Sequence, residues 1–308
     1  MTIRHQVPRP ELPPVTVRGG LDDLVSLVAG RRWVALTGAG ISTDSGIPDY
    51  RGPLAPPSNP MMYDEFVSDD ANRRRYWARS MLGWQSFGRA IPNLGHRALV
   101  GAPGLAGVVT QNVDGLHEAA GSSPVVDLHG RIDRVVCLSC GTYSARADLQ
   151  QRLQELNPDI DGYLAAGAAE LDSARLRPDG DAVVERWHDF RVVPCEVCGG
   201  VLKPDVVFFG ESARRELVAS AYELVDSSDA LVVLGSSLTV MSGLRFVRHA
   251  YRLGKPVAII NRGPTRGDDR ATVRLDAGTT ETLLALRDRL RASAQGVAPQ
   301  RHESGAQQ

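Results

Sequence analysis

The sequence predicts an α/β fold, a doubly wound parallel sheet with a small four-cysteine module inserted into it. Three observations predict it. Short, wholly apolar runs alternate with longer stretches at helical spacing, the pattern of strands covered on both faces by helices. Several of those runs end in polar or glycine-rich loops. All four cysteines fall in two pairs, Cys137-x-x-Cys140 and Cys195-x-x-Cys198.

Taken in order, residues 1–20 are broken by Pro8, Pro10, Pro13 and Pro14 and are expected to be flexible. In 21–30, Leu21, Leu24, Val25, Leu27 and Val28 recur at helical spacing, and Gly30 supplies a stop. Trp33 to Thr37 reads as the first buried strand. It ends at Gly38-Ala39-Gly40, where missing side chains let backbone N–H groups approach a pyrophosphate. That is a Rossmann-like opening, although Thr43 stands where a third fingerprint glycine would be. The loop beyond is unusually polar, with Ser42, Asp44, Ser45, Asp49, Tyr50 and Arg51 around Pro48.

Residues 53–60 are too proline-rich for regular structure, and 62–88 read as helical, with Tyr76-Trp77-Ala78-Arg79 in the middle. Another helix is expected at 93–101. Strands at 107–110 and 125–128 end in Gln111-Asn112-Val113-Asp114 and His129-Gly130. The four-cysteine module is expected over 131–202, with a helix near 146–156 and a loop-rich insertion at 157–190. The main domain, begun at 21–130, resumes over 203–293. There a helix at 213–226 leads to the strand Ala230 to Leu234 and the loop Gly235-Ser236-Ser237. A helix at 242–253 precedes the strand Val257 to Ile260, which ends at Asn261. A short strand near 272–275 and a helix over 279–293 complete the domain. Residues 294–308 are polar, lack periodicity and are expected to be disordered.

At 308 residues the chain has ample length for one large domain and a small one. A net charge of −1 leaves no electrostatic footprint for nucleic acid or a membrane surface. No apolar run approaches the roughly 20 residues that span a bilayer. The N-terminus lacks the apolar core of a secretory signal, so a cytoplasmic protein is expected; a monomer is expected as well. In a reducing compartment the two cysteine pairs read as a tetrahedral zinc site with four thiolate ligands. Two disulfides or four unrelated thiols are the alternatives. With no fifth cysteine or nearby histidine, such a zinc would be structural.

In open α/β sheets ligands bind beyond the carboxyl ends of the strands. Loops 38–51, 111–114, 235–237 and 261–263 should therefore line one crevice long enough for a dinucleotide. His129 closes a short strand there, where a neutral imidazole can serve as general base near pH 7; a satisfied core histidine is the alternative. His96, His117 and His249 read as core or surface residues. Gln111, Asn112 and Asp114 can bond a ribose, an amide or a water, or simply cap their loop.

These stretches resemble the sirtuins, NAD-dependent protein-lysine deacylases. The resemblance rests on Gly38-Ala39-Gly40-Ile41-Ser42, Gly46-Ile47-Pro48-Asp49-Tyr50-Arg51, Thr110-Gln111-Asn112-Val113-Asp114 and His129-Gly130. The two cysteine pairs, Lys203-Pro204-Asp205-Val206-Val207-Phe208-Phe209-Gly210-Glu211 and Gly235-Ser236-Ser237-Leu238 follow in family order. It covers about residues 21–290. Tyr76 to Arg79, Leu156-Asn157-Pro158 and Gly263-Pro264-Thr265-Arg266 are similar to the class II branch.

The resemblance implies NAD across the crevice, its pyrophosphate on Gly38, Ala39 and Gly40 and its adenosine end near Gly235, Ser236, Asn261 and Arg262. Ile41, Pro48, Asp49, Tyr50 and Arg51 would close over the nicotinamide ribose. Gln111, Asn112 and Asp114 would surround nicotinamide, with Asp44, Val113, Ser237, Gly263 and Thr279 completing the cofactor contacts. The acyl-lysine oxygen would attack the ribose as nicotinamide leaves, with Asn112, Asp114 and His129 as the catalytic groups and His129 as base. Products would be free lysine, nicotinamide and O-acyl-ADP-ribose. Val207, Phe208, Phe209 and Gly210 would hold the acylated-lysine protein substrate as an added strand. Tyr76 and Arg79, three apart on a helix, would face the acyl chain and favour one beyond acetyl, acidic or lipoyl-type; a surface Arg79 packed on Trp77 is the alternative. The rival readings are mono-ADP-ribosyl transfer or NAD hydrolysis, and a non-catalytic NAD-sensing module.

Overall fold

The computed structural model describes residues 12–49, 60–158 and 187–294. Six strands form one parallel sheet in the order β3, β2, β1, β7, β8, β9. They are β1 (Trp33–Thr37), β2 (Leu105–Thr110), β3 (Val125–Asp127), β7 (Ala230–Leu234), β8 (Val257–Ile260) and β9 (Val273–Leu275). The chain builds outward from β1 to β3, then returns past β1 to lay down β7 to β9 on the other side. The strand order reverses at β1, which puts a crevice beyond its carboxyl end.

Every residue of β1, β7 and β8 is buried, which explains apolar runs without polar alternation. The pleat still sorts their side chains. Trp33, Ala35, Val232 and Ala258 pack under α1 (Leu21–Val28), α4 (Leu94–Leu99) and α9 (Thr279–Ala294). Val34, Leu36, Val233 and Ile259 face α7 (Arg215–Asp226) and α8 (Met241–Arg252). Each such Val, Leu or Ile taken out of water contributes about 1.5–3 kcal/mol.

A second, antiparallel sheet orders as β5 (Tyr143–Ala145), β4 (Gly130–Cys137), β6 (Leu202–Val206). With α6 (Arg146–Leu156), α2 (Tyr63–Ser68) and α3 (Asp70–Phe87) it shares a separate core around Phe66, Trp77, Leu153 and Phe208. The boundary expected at residue 203 falls within a strand of this sheet. Residues 202–206 pair with β4, because antiparallel partners far apart in sequence leave no local mark.

Other boundaries shift for identifiable reasons. The helix expected over 62–88 is broken at Asp69, whose backbone is extended and whose carboxylate accepts from Asn72 N–H at 3.0 Å. That cap starts α3 afresh. A short helix, α5 (Leu116–Ala120), was not expected; Gly115 and Gly121, at φ 69° and 100°, bound it. Within the segment expected to be flexible, residue 18 is paired. Arg18 pairs antiparallel with Arg274, and its guanidinium donates to Ala271 O at 2.9 Å. Residues 1–11, most of the 157–190 insertion and the tail from 295 lie outside the described residues.

Candidate active site

The loops beyond β1, β2, β3, β7 and β8 open into one cleft of about 980 Å³. Gly38, Ala39, Gly40, Asp49, Gln111, Asn112, Val113, Asp114 and His129 line it. So do Gly235, Ser236, Ser237, Asn261, Arg262 and Gly263, together with Tyr76 and Val207 to Gly210. Ile41 is instead fully buried in the core, and Pro48 lies between Ile47 and Asp49, both of which line the cleft. Asp44 and Thr279 brace the loop from outside the cleft. Asp44 Oδ2 accepts from Thr280 Oγ1 at 2.5 Å, and Thr279 Oγ1 donates to Gly40 O at 3.4 Å. Arg79 is not among the lining residues, and Tyr50 and Arg51 fall outside the described residues.

The glycines after β1 have a second use that the sequence hid. Gly38 N–H donates to Leu234 O at 3.0 Å and Gly40 N–H to Gly235 O at 2.9 Å. A Cβ on either would stand 2.8 Å from the Gly235 backbone. Two of the N–H groups expected to face a pyrophosphate are thus engaged within the chain, and bare Cα atoms let the β1 and β7 loops touch.

Two hydrogen-bond arms converge on Asn112. In the first, Asn112 Nδ2 donates to Gly38 O at 3.2 Å and to Ser42 Oγ at 3.1 Å. Ser42 Oγ in turn donates to Asp114 Oδ2 at 2.7 Å, while Leu116 N–H donates to Asp114 Oδ1 at 2.9 Å. In the second, Asn112 N–H donates to Thr110 Oγ1, which also accepts from Thr37 Oγ1 at 2.9 Å. His117 Nε2 lies 2.9 Å from Thr37 Oγ1, whose proton is already committed, so His117 is the donor. Burial raises the pKa of Asp114, opposed by the Leu116 and Ser42 bonds. Burial also lowers His96 to about 4 and, with His96 beside it, His117 to about 3. Both rings are neutral core residues, as their sequence positions suggested.

His129 sits differently. Its Nδ1 is 2.6 Å from Gln111 O, an atom that can only accept, so Nδ1 carries the proton and Nε2 holds the lone pair. Burial lowers its pKa, the Gln111 carbonyl opposes that shift, and the Arg245 charge adds to it. The result is a neutral imidazole with a basic nitrogen toward the cleft. Gln111 is itself tethered, donating from Nε2 to Ser236 Oγ at 2.7 Å and to Thr37 O at 3.3 Å.

The strip Val207 to Gly210 forms one wall. Val207 N–H donates to His129 O at 2.8 Å, and Phe208 N–H to Glu211 Oε2 at 2.9 Å. Tyr63 N–H donates to Phe209 O at 2.9 Å, so part of the expected docking edge pairs with this chain's own residues. Lys203 locks the strip from beneath: its buried ammonium donates to Val206 O, pairs with Glu211 at 2.9 Å and lies 4.7 Å above the Phe208 ring. Tyr76 packs edge-on to Phe66 at 5.4 Å and tilted on Phe208 at 5.2 Å. Ser242 and Arg245 of α8 also line the cleft, and the sequence reading missed both. The available signal was a polar residue at the start of the helix after a Gly-Ser-Ser loop.

At the far tip of the small sheet the four cysteine sulfurs lie within 4.8 Å of one another. Cys137 and Cys198 are 3.5 Å apart and Cys140 and Cys195 3.9 Å, far beyond a disulfide bond of about 2.05 Å. Metal–sulfur bonds of about 2.3 Å in a tetrahedron put sulfurs near 3.8 Å, so the donor set fits zinc. Gly141 and Gly199, each at φ 73°, close the two turns, their N–H groups bonding Cys137 O and Cys195 O. Among the described residues no further His, Cys, Asp or Glu joins the four thiolates, so a metal bound there would serve as a cross-link.

A reversing parallel sheet, a dinucleotide-length crevice with the His129 imidazole in its wall, and a four-thiolate tip together define an α/β nucleotide-binding protein with a structural metal module. Residues 38–242 match the Sir2 family model. The chain belongs to that family. It is 55% identical over 271 residues to NAD-dependent protein deacetylase 1 of Mycobacterium avium, covering 87% of this chain and 95% of the relative. It is 53% identical to NAD-dependent protein deacetylase 1 of Streptomyces coelicolor, covering 92% and 93%. Among solved structures, one described as Sir2 with p53 peptide and NAD+ superposes with a TM-score of 0.66 at 28% identity, covering 91% of this chain and 100% of that one. Another, Sir2 bound to acetylated peptide, gives 0.66 at 26% identity and the same coverage.

Proposed function

We propose that the protein is an NAD-dependent protein-lysine deacylase in which His129 is the general base. The observation that carries this reading is the His129 tautomer. A ring with Nδ1–H on Gln111 O and a lone pair on Nε2 is set to take a proton from a ribose hydroxyl, and burial keeps it neutral. NAD is a substrate here, consumed as the carbon–nitrogen bond to nicotinamide breaks. Asn112 and Asp114, oriented by Ser42 and the Thr37–Thr110 pair, face the nicotinamide end. The loops after β7 and β8 hold the adenosine end. The Val207 to Gly210 wall takes the acylated lysine's backbone by strand addition, using the groups that the chain's own pairing leaves.

For the acyl group, Ile47, Met61, Tyr76 and Phe208 provide an apolar wall. That wall favours acyl chains with an apolar stem. Tyr76 belongs to that wall and Arg79 is not among the residues that line the cleft, so the acidic-acyl reading has less support than the apolar one. The division into a nucleotide-binding domain and a zinc module has its seam at β4 and β6, inside the second sheet.

The deciding experiment incubates protein and NAD with acetyl-, succinyl-, glutaryl-, hydroxymethylglutaryl- and lipoyl-lysine peptides. Mass spectrometry follows nicotinamide, deacylated peptide and O-acyl-ADP-ribose. Stoichiometric products that disappear in His129→Ala are expected. Nicotinamide release without deacylation would replace this reading with ADP-ribosyl transfer or NAD hydrolysis, and binding without turnover with a sensor.

A further inference from the structure

The base of the site has a second partner. Ser242 Oγ lies 2.8 Å from His129 Nε2. Because Nδ1 carries the ring proton toward Gln111 O, Nε2 can only accept, so the serine hydroxyl donates to it. Among the described residues this is the only hydrogen bond of the Ser242 side chain. The hydroxyl does not cap its own helix: α8 begins after Val240, an N-cap with no side-chain bond. A Cβ on the neighbouring Gly243 would collide with the Gln111 amide, so a glycine there lets the start of α8 sit directly against Gln111. One helix start and one loop therefore grip both nitrogens of the same imidazole.

The geometry points to Ser242 as a positioning residue for His129, its hydroxyl holding the basic nitrogen toward the cleft until a ribose hydroxyl takes its place. This inference rests on His129 being the base. A ring held only through Nδ1 can still swing about that bond; a second bond at Nε2 removes the freedom before substrate arrives. The hydroxyl costs little to displace, since serine turns by one χ1 rotation and Ser242 is only partly buried at the cleft wall.

The consequence separates two steps of the reaction. Breaking the nicotinamide bond, read by exchange of labelled nicotinamide into NAD in the presence of acyl peptide, does not require Nε2 to take up a proton. Formation of O-acyl-ADP-ribose does. Ser242→Thr and Ser242→Val have nearly the same shape and differ in the hydroxyl. The ratio of exchange to deacylation should stay near the native value in Ser242→Thr and rise about tenfold in Ser242→Val, the effect of one lost hydrogen bond. The nitrogen-15 signals of His129 should show a single Nδ1–H tautomer in the native and Thr proteins and mixed or mobile ring signals in the Val protein. A purely structural serine would lower both rates together and leave the ratio alone, and that result overturns the inference. Should Ser242→Val fail to fold, the ratio and tautomer in Ser242→Ala decide in the same way. A native protein that releases no deacylated peptide would instead remove the reading on which the inference stands.

Discussion

Every side chain of β1 and β7 is buried, whereas all three residues of β5 in the small sheet are exposed. The two regions solve different problems. The parallel sheet is covered by helices on both faces and gets its order from apolar burial, so its loops can be polar, glycine-rich and shaped by ligand chemistry. The cysteine tip carries exposed Leu138, Val197 and Tyr143 and has little core of its own; its order comes from four sulfurs around one metal. Hydrophobic burial thus frees the crevice to be functional, while ligation frees the tip from needing a core. Between them, β4 and β6 carry Gly130, Lys203 and Val206 and connect tip to cleft.

The largest test breaks the two regions apart. Removing zinc with a chelator, or Cys195→Ala, should forfeit on the order of 10 kcal/mol of folding-coupled binding at the tip. Hydrogen exchange should then show residues 137–145 and 195–202 unprotected while β1, β7 and β8 stay protected. Loss of protection throughout would mean that the sheet depends on the metal too.

Next comes the base. His129→Ala should lower deacylation by about 10²–10⁴-fold. NAD affinity should change far less, because the proposed contacts of the adenosine end lie on other loops; calorimetry checks this. In the native enzyme the acid limb of kcat/KM should lie below the ordinary histidine range near pH 6.5, since burial lowers the His129 pKa. A limb above that value would contradict a buried neutral base.

A smaller effect should appear in stability. His117 is at about 3 when folded but near 6.5 when unfolded, so the unfolded chain takes up the proton first as the pH falls. The stability associated with the neutral ring is complete above about pH 6.5 and drains away toward pH 3. Glutamine retains a donor and does not titrate. Between pH 6.5 and 4 the native protein should therefore lose up to ~3 kcal/mol relative to His117→Gln in urea melts. Parallel curves would show that the ring is not held neutral. The smallest effect is expected at Arg79. Because it is not among the residues that line the cleft, Arg79→Ala should change the glutaryl-to-acetyl turnover ratio by less than about twofold. A larger drop would restore the acidic-acyl reading.

By itself the sequence determined the strands and helices of the large sheet, the four thiolate ligands and the loops that meet at the cleft. Those are written locally: apolar runs, helical spacing, C-x-x-C turns and polar residues just past strand ends. Tertiary structure alone decided that residues 202–206 belong to the small sheet and that Gly38 and Gly40 are packing glycines against Gly235. It also brought Ser242 to His129 and His117 behind Asn112. The reason is sequence distance. Ser242 and His129 meet because β7 lies next to β1 after the chain has already built β2 and β3 on the other side, and no local pattern encodes that return.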